Sequence, residues 1–155
     1  MYVYLGVIMI VKFTNRFRKK QRPRYEKALR FYLTKLGLTD EDLKDVDVSI
    51  FLRKSEDRGC CQHDFGARNP KSFEIIISPG GPFSPLQTLA HEAVHVKQFL
   101  LRELRMLSKC CKWKGEVWKS DGSDLDSYYD SPWEVEAYGK EEGLYVRFLV
   151  EEKNG

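Results

Sequence analysis

The chain has no apolar run long enough to cross a bilayer. Its most hydrophobic stretch, MYVYLGVIMIV, is about half of the roughly 20 residues a spanning helix needs. That stretch also lacks a basic segment before it and a small-residue cleavage site after it, so it reads as a β-strand rather than an export signal. MIVKFTNRF, from Met9, reads as a strand beginning in the same way. The expected location is the cytoplasm, a host's if the chain is viral, with no membrane partner. A phosphate-binding loop is missing too: SPGGPFSP is a turn, and no GK[ST] follows it. There is no CxxC. The 4 cysteines form two adjacent pairs, Cys60–Cys61 and Cys110–Cys111, and neighbouring thiols point apart, so buried small hydrophobes are expected. The chemical alternatives are a disulfide between the pairs, or a cysteine-bound metal that recruits His63. Histidine is scarce, with only 3 in 155 residues, and that scarcity makes their placement informative.

What is present fits one soluble domain spanning 1–155, with 42% hydrophobic and 32% charged residues and no repeat or linker. In RPRYEKALRFYLTKLGL, Tyr25, Ala28, Leu29, Tyr32, Leu33 and Leu36 fall on one helical face, and Gly37 is the expected cap. VDVSIFLR alternates and reads as a strand, as does KSFEIIIS. A long helix then starts with Ser84 as N-cap, Pro85 at the first position and Gln87 completing a capping box, and its pattern runs to about Leu107. KCCKWKGEVWKS reads as a hairpin and DGSDLDSYYD as a polar loop. A last helix starts at Ser131, with Pro132 first and Glu134 where a capping box wants it, and runs to about Val150. This mixture of strands and helices is an α+β fold.

Two of the three histidines lie in TLAHEAVHVKQFL. A helix turns about 100° per residue, so His91 and His95 differ by about 40° and can reach one ion. Leu86, Leu89, Ala90, Ala93, Leu100, Leu101 and Leu104 form a stripe roughly opposite, which sets the histidines on a face expected to be wet. Zinc accepts imidazole nitrogen, and a catalytic zinc takes three protein ligands and leaves one position open. Glu92 is offset from His91 around the helix. In HExxH that glutamate is the general base for water activated by the metal.

The third ligand must come from elsewhere. HExxHxxGxxH is absent, because Gln98 and Leu101 stand where its Gly and His would be. On the last helix, Glu134 shares a phase with Ala137, Tyr138, Glu141, Tyr145 and Phe148 and points inward, whereas Glu136 groups with Lys140, Gly143 and Arg147 and points to solvent. Glu134 either completes the capping box or reaches the metal. Glu141, two turns on, suits a partner that orients an imidazole.

LAHEAVHVKQ, followed roughly 40 residues later by SPWEVEAYGKE, resembles the small zinc metallopeptidases of gluzincin type found in phage, viral and prokaryotic genomes. The resemblance spans about Ser84 to Phe148. It implies His91, His95 and Glu134 as ligands of Zn2+, and Glu92 as catalytic base. It also implies a minimal zincin-like domain, in which a small mixed or antiparallel sheet packs against an N-terminal helix, the HExxH helix and a C-terminal helix. In related membrane peptidases the later helix reads ExEAD or ExQAD. Tyr138 stands where that pattern has its second acid, leaving Glu141 or Asp130 to take its role.

The expected activity is hydrolysis of peptide bonds in a peptide or protein substrate. An oxyanion donor would come from Tyr128, Tyr129, Tyr138 or His63. In zincin folds the strand before the active helix is a sheet edge that pairs with extended substrate, a place KSFEIIIS would take. One feature supports an alternative: Lys12, Arg16, Arg18, Lys19, Lys20, Arg22, Arg24, Lys27 and Arg30 face only Glu26. Such a basic face at 12–30 is either solvated or contacts nucleic-acid phosphates, and a metal-stabilised binding protein without catalysis would use it on a nucleic acid or protein partner. Trp113, Trp118 and Trp133 are expected in the core or in a cleft wall.

Overall fold

A computed structural model describes residues 8–14, 16–64, 66–118 and 124–155. Most of the opening apolar stretch and the start of DGSDLDSYYD lie outside them.

Four strands form the main sheet: β1 (Ile10–Phe13), β2 (Asp47–Leu52), β3 (Gly59–His63) and β4 (Ser72–Ile77), in the order β1-β2-β4-β3. β1, β2 and β4 are parallel, while β3 runs antiparallel to β4 along the edge. Helix α1 (Arg22–Lys35) is the crossover between β1 and β2. Val48, Ile50, Phe73, Ile75 and Ile77 are buried while Glu74 is exposed, so the period-2 alternation marks one covered face. Helices α2 (Pro85–Leu100) and α4 (Pro132–Asn154) pack on each other and on α1. Tyr32 of α1 is fully buried, and its hydroxyl donates to the Leu86 carbonyl of α2 at 3.0 Å. The Phe148 ring of α4 meets both Phe31 and Tyr32. A second, antiparallel sheet of β5 (Leu104–Met106), β6 (Cys111–Trp113) and β7 (Glu116–Trp118) follows α2. Its tryptophans Trp113 and Trp118 lie against Trp133 at the start of α4.

Several local expectations hold. Gly37 has φ of 91°, with Leu38 N–H donating to the Leu33 carbonyl and Gly37 N–H to that of Thr34; this is a Schellman end. The β6–β7 hairpin turns on Lys114 and Gly115, both at positive φ as a two-residue turn demands.

Others are corrected. Helix α2 stops at Leu100, not near Leu107, because Arg102 adopts φ of 57° and closes a second Schellman arrangement, Glu103 N–H to the Gln98 carbonyl at 2.8 Å. Leu104, which fits the helical stripe, is buried as the first residue of β5 instead, and Leu101 is exposed. KSFEIIIS is β4, an inner strand; the edge belongs to β3, whose sequence GCCQH has no alternation to announce it. Neither capping box forms. Ser84 Oγ accepts from Leu86 N–H, while Ser131 Oγ donates to the Ser127 carbonyl. The polar loop contains a short helix, α3 (Leu125–Asp130), whose N-cap Asp124 accepts from Ser127 N–H at 2.8 Å. All four cysteines are free thiols, with Cys60 and Cys61 in one sheet and Cys111 in the other.

Candidate metal centre

Helix α2 carries His91 and His95 on one face, and the first turn of α4 brings Glu134 across to them. The two Nε2 atoms are 3.2 Å apart. Glu134 Oε2 lies 3.2 Å from His91 Nε2, and Oε1 lies 3.3 Å from His95 Nε2. One potential ligand atom from each residue falls within 4.8 Å of the others, and no other such group of His, Cys, Asp or Glu occurs among the described residues.

Hydrogen bonds settle which atoms of this group carry protons. Gln98 Nε2 donates to the Trp133 carbonyl at 2.9 Å and to Glu136 Oε1 at 3.0 Å, so its Oε1 is the atom that faces His95 Nδ1 at 2.8 Å. His91 Nδ1 sits 2.7 Å from Glu141 Oε2. Both Nδ1 atoms therefore have acceptors and carry hydrogen, which in the neutral rings leaves both Nε2 atoms as lone pairs. Two lone pairs and a carboxylate converge in a buried space, and Glu134 Oε2 is enclosed without a well-aligned donor. A cation satisfies all three groups at once. Two imidazoles and a carboxylate are a donor set that zinc accepts.

In the absence of a metal, protons take that part. Burial depresses the His91 imidazole, but the carboxylates of Glu134 and Glu141 outweigh it and lift its pKa to about 9. The His95 imidazole is raised as well, burial being outweighed mainly by Glu134. Glu134 is lowered to about 2, because the two histidines overcome the opposing effect of burial.

Glu92 does not join the convergent group. It is buried against β3, where a Cβ on Gly59 would come within 2.7 Å of Glu92 Oε1 and 2.6 Å of Thr88 Cγ2, so only glycine allows this approach. Burial raises the Glu92 carboxyl, with His95 and His91 opposing. That shift moves it toward the range of a general base near neutrality.

All four residues line a cleft of about 660 Å³ that also includes β3 residues Gly59, Cys60 and Cys61. The expected wet face is thus a buried one: His91 and His95 are only 5% and 8% exposed, reached through the cleft rather than from open solvent. Tyr128 also lines the cleft, held protonated by burial and then by the neighbouring Glu134. The Tyr138 ring packs on His91 with centroids 4.5 Å apart, and Tyr129 packs on Tyr138. His63 is placed elsewhere, with its ring on Phe99 and Nδ1 on the Asp64 carbonyl. Asp130 is exposed at the end of α3, so Glu141 is the acid that meets an imidazole. Glu136, expected in solvent, is half-buried and binds Lys97 Nζ and Gln98 Nε2.

Comparison with family models, curated proteins and solved structures finds no match.

Two contributors carried no local signal, Arg58 and Gly59, which precede and open β3, whereas Gln87 and Thr88 lie four and three residues before His91 on its own face. Gln98 had a signal too, since three residues after His95 it shares the histidine face.

Proposed function

We propose that the chain is a zinc-dependent peptidase of zincin-like type, with His91, His95 and Glu134 as metal ligands and Glu92 as general base. The observation that carries this reading is the convergence of two imidazole lone pairs and a carboxylate, with a second, uncommitted carboxylate beside them in the same cleft. A zinc ion held there by His91, His95 and Glu134 would supply Lewis acidity, to polarise a scissile carbonyl and acidify water. Glu92, kept off the ligand group by its packing on Gly59, takes the proton from water and returns it to the leaving amine. The Tyr128 hydroxyl, neutral and beside Glu134 in the cleft, donates to the developing oxyanion. His91 and His95 keep their ligating nitrogens aimed inward because Glu141 and Gln98 hold the opposite ones. β3 offers a sheet edge along the cleft, so an extended peptide is bound through its main chain, with modest sequence preference.

The test compares Glu92→Gln with wild type. The variant keeps its zinc and loses hydrolysis of a peptide library; equal cleavage by both proteins rules out catalysis by this site.

A second reading, a metal-stabilised binding protein, draws on the basic stretch. Arg24 is paired with Glu152 and Arg30 with Glu26, but Arg16, Arg18, Lys19 and Lys20 are exposed and without ion pairs among the described residues. A salt-dependent gel shift with nucleic acid that disappears when Arg18, Lys19 and Lys20 are neutralised favours this reading.

A further inference from the structure

Arg58 stands just before β3, more than thirty residues from the nearest metal ligand, and touches none of them. Its Nη1 donates to both oxygens of Glu141, at 3.0 and 2.9 Å, and its Nε donates to Thr88 Oγ1 at 2.9 Å. The guanidinium also lies over the Phe83 ring, 4.0 Å from its centroid. Gln87 Nε2 adds a bond to Glu141 Oε1 at 3.1 Å. With Oε1 shared between Arg58 and Gln87, Oε2 is turned toward His91 Nδ1 at 2.7 Å.

Building on the metal reading above, we propose that Arg58 is a positioning residue for the metal site: by gripping Glu141 and Thr88 together it fixes the carboxylate that orients His91. The choice of side chain supports this. Arg58 leaves Nη2 buried without an acceptor, which is unfavourable. A lysine would neutralise Glu141 without that orphaned donor, but only a planar fork reaches Thr88 and Glu141 at once. The grip also has a spatial consequence. Arg58 and Gly59 are consecutive, so one residue sets the His91 ring through Glu141 while the next lets β3 close on Glu92. The cleft wall and the ligand helix are thereby registered to one another.

The experiment measures zinc affinity by competition with a chromophoric chelator, and the visible spectrum of the Co2+-substituted protein, for wild type, Arg58→Met, Arg58→Lys, Glu141→Gln and the Arg58→Met/Glu141→Gln double variant. Arg58→Met is expected to bind zinc about 10-fold more weakly, the scale on which outer partners of metal ligands act, and to change the Co2+ spectrum. Arg58→Lys, the milder change should the methionine variant fold poorly, recovers only part of the loss. In the Glu141→Gln background Arg58→Met adds nothing further, because its effect passes through that carboxylate. Wild-type affinity and an unaltered Co2+ spectrum in Arg58→Met would overturn the proposal, as would its full effect persisting without Glu141. Wild-type protein that takes up neither metal contradicts the metal reading itself, a result separable from both.

Discussion

Helix α4 reaches α2 through two glutamates only two residues apart, Glu134 buried and Glu136 half-buried, and their surroundings differ. Around Glu136, charged and amide donors reach the carboxylate: Lys97 Nζ lies 3.0 and 3.1 Å from its oxygens and Gln98 Nε2 lies 3.0 Å away, while Lys97 also meets Glu103 at 2.7 Å. Around Glu134, the nearest neighbours are the imidazole Nε2 atoms of His91 and His95, at 3.2 and 3.3 Å, with Tyr128 also beside it. The first set ties α2, α4 and the approach to β5 together through one lysine and one amide. The second has imidazoles as its nearest partners, a buried His-His-Glu group that could hold a metal ion. The kind of partner, lysine and amide against imidazole, is what separates the two carboxylates.

The comparison breaks most visibly at Glu92, which belongs to neither set. Glu92→Gln should lower peptide hydrolysis by about 10²–10⁴-fold, the usual worth of a general base, with metal content unchanged by elemental analysis. Next come the paired glutamates. Glu134→Gln should weaken zinc binding by about 100-fold or more, beyond the effect of outer partners, yet leave the metal-free fold intact by circular dichroism. Glu136→Gln should do the reverse, keeping zinc while lowering unfolding free energy by about 1–2 kcal/mol in urea titration, because Lys97 loses one of its two buried partners. If both substitutions affect zinc alike, the two sets are not distinct.

Acidity sharpens the same contrast. In metal-free protein the His91 pKa is raised from 6.5 to about 9, so its stabilising contribution is complete below about pH 6.5 and is lost as pH rises through 9. Glu134 is lowered from 4.5 to about 2, so its contribution is complete above 4.5 and is lost as pH falls through 2. This pair thus stabilises metal-free protein most between pH 4.5 and 6.5. Because His91 holds a proton there, zinc uptake should release protons and tighten as pH rises toward 9, measurable by calorimetry in buffers of different ionisation enthalpy. The smallest effect concerns Gly59→Ala, whose methyl would press on Glu92 Oε1 and reduce turnover more than zinc affinity.

The histidine face of α2 could be read from the chain because His91, Glu92 and His95 lie within one helical period, and helical phase alone turned Glu134 inward. The same phase argument misplaced Glu136: it assigns a direction but cannot see that Lys97 waits on the neighbouring helix. β3 was invisible because its residues are neither alternating nor strongly apolar, and its pairing with β4 is decided by the sheet. The end of α2 was misjudged because Arg102 fills a left-handed position usually given to glycine, while Leu104 suits helix and strand equally. Arg58 could not be found at all, since its role depends on contacts more than eighty residues away.

The central claim is that His91, His95 and Glu134 share one cation, and direct zinc titration of the purified chain tests it most plainly. One zinc per chain is predicted for wild type and none for His95→Ala. No uptake by wild type, or equal uptake by the His95→Ala protein, would contradict it.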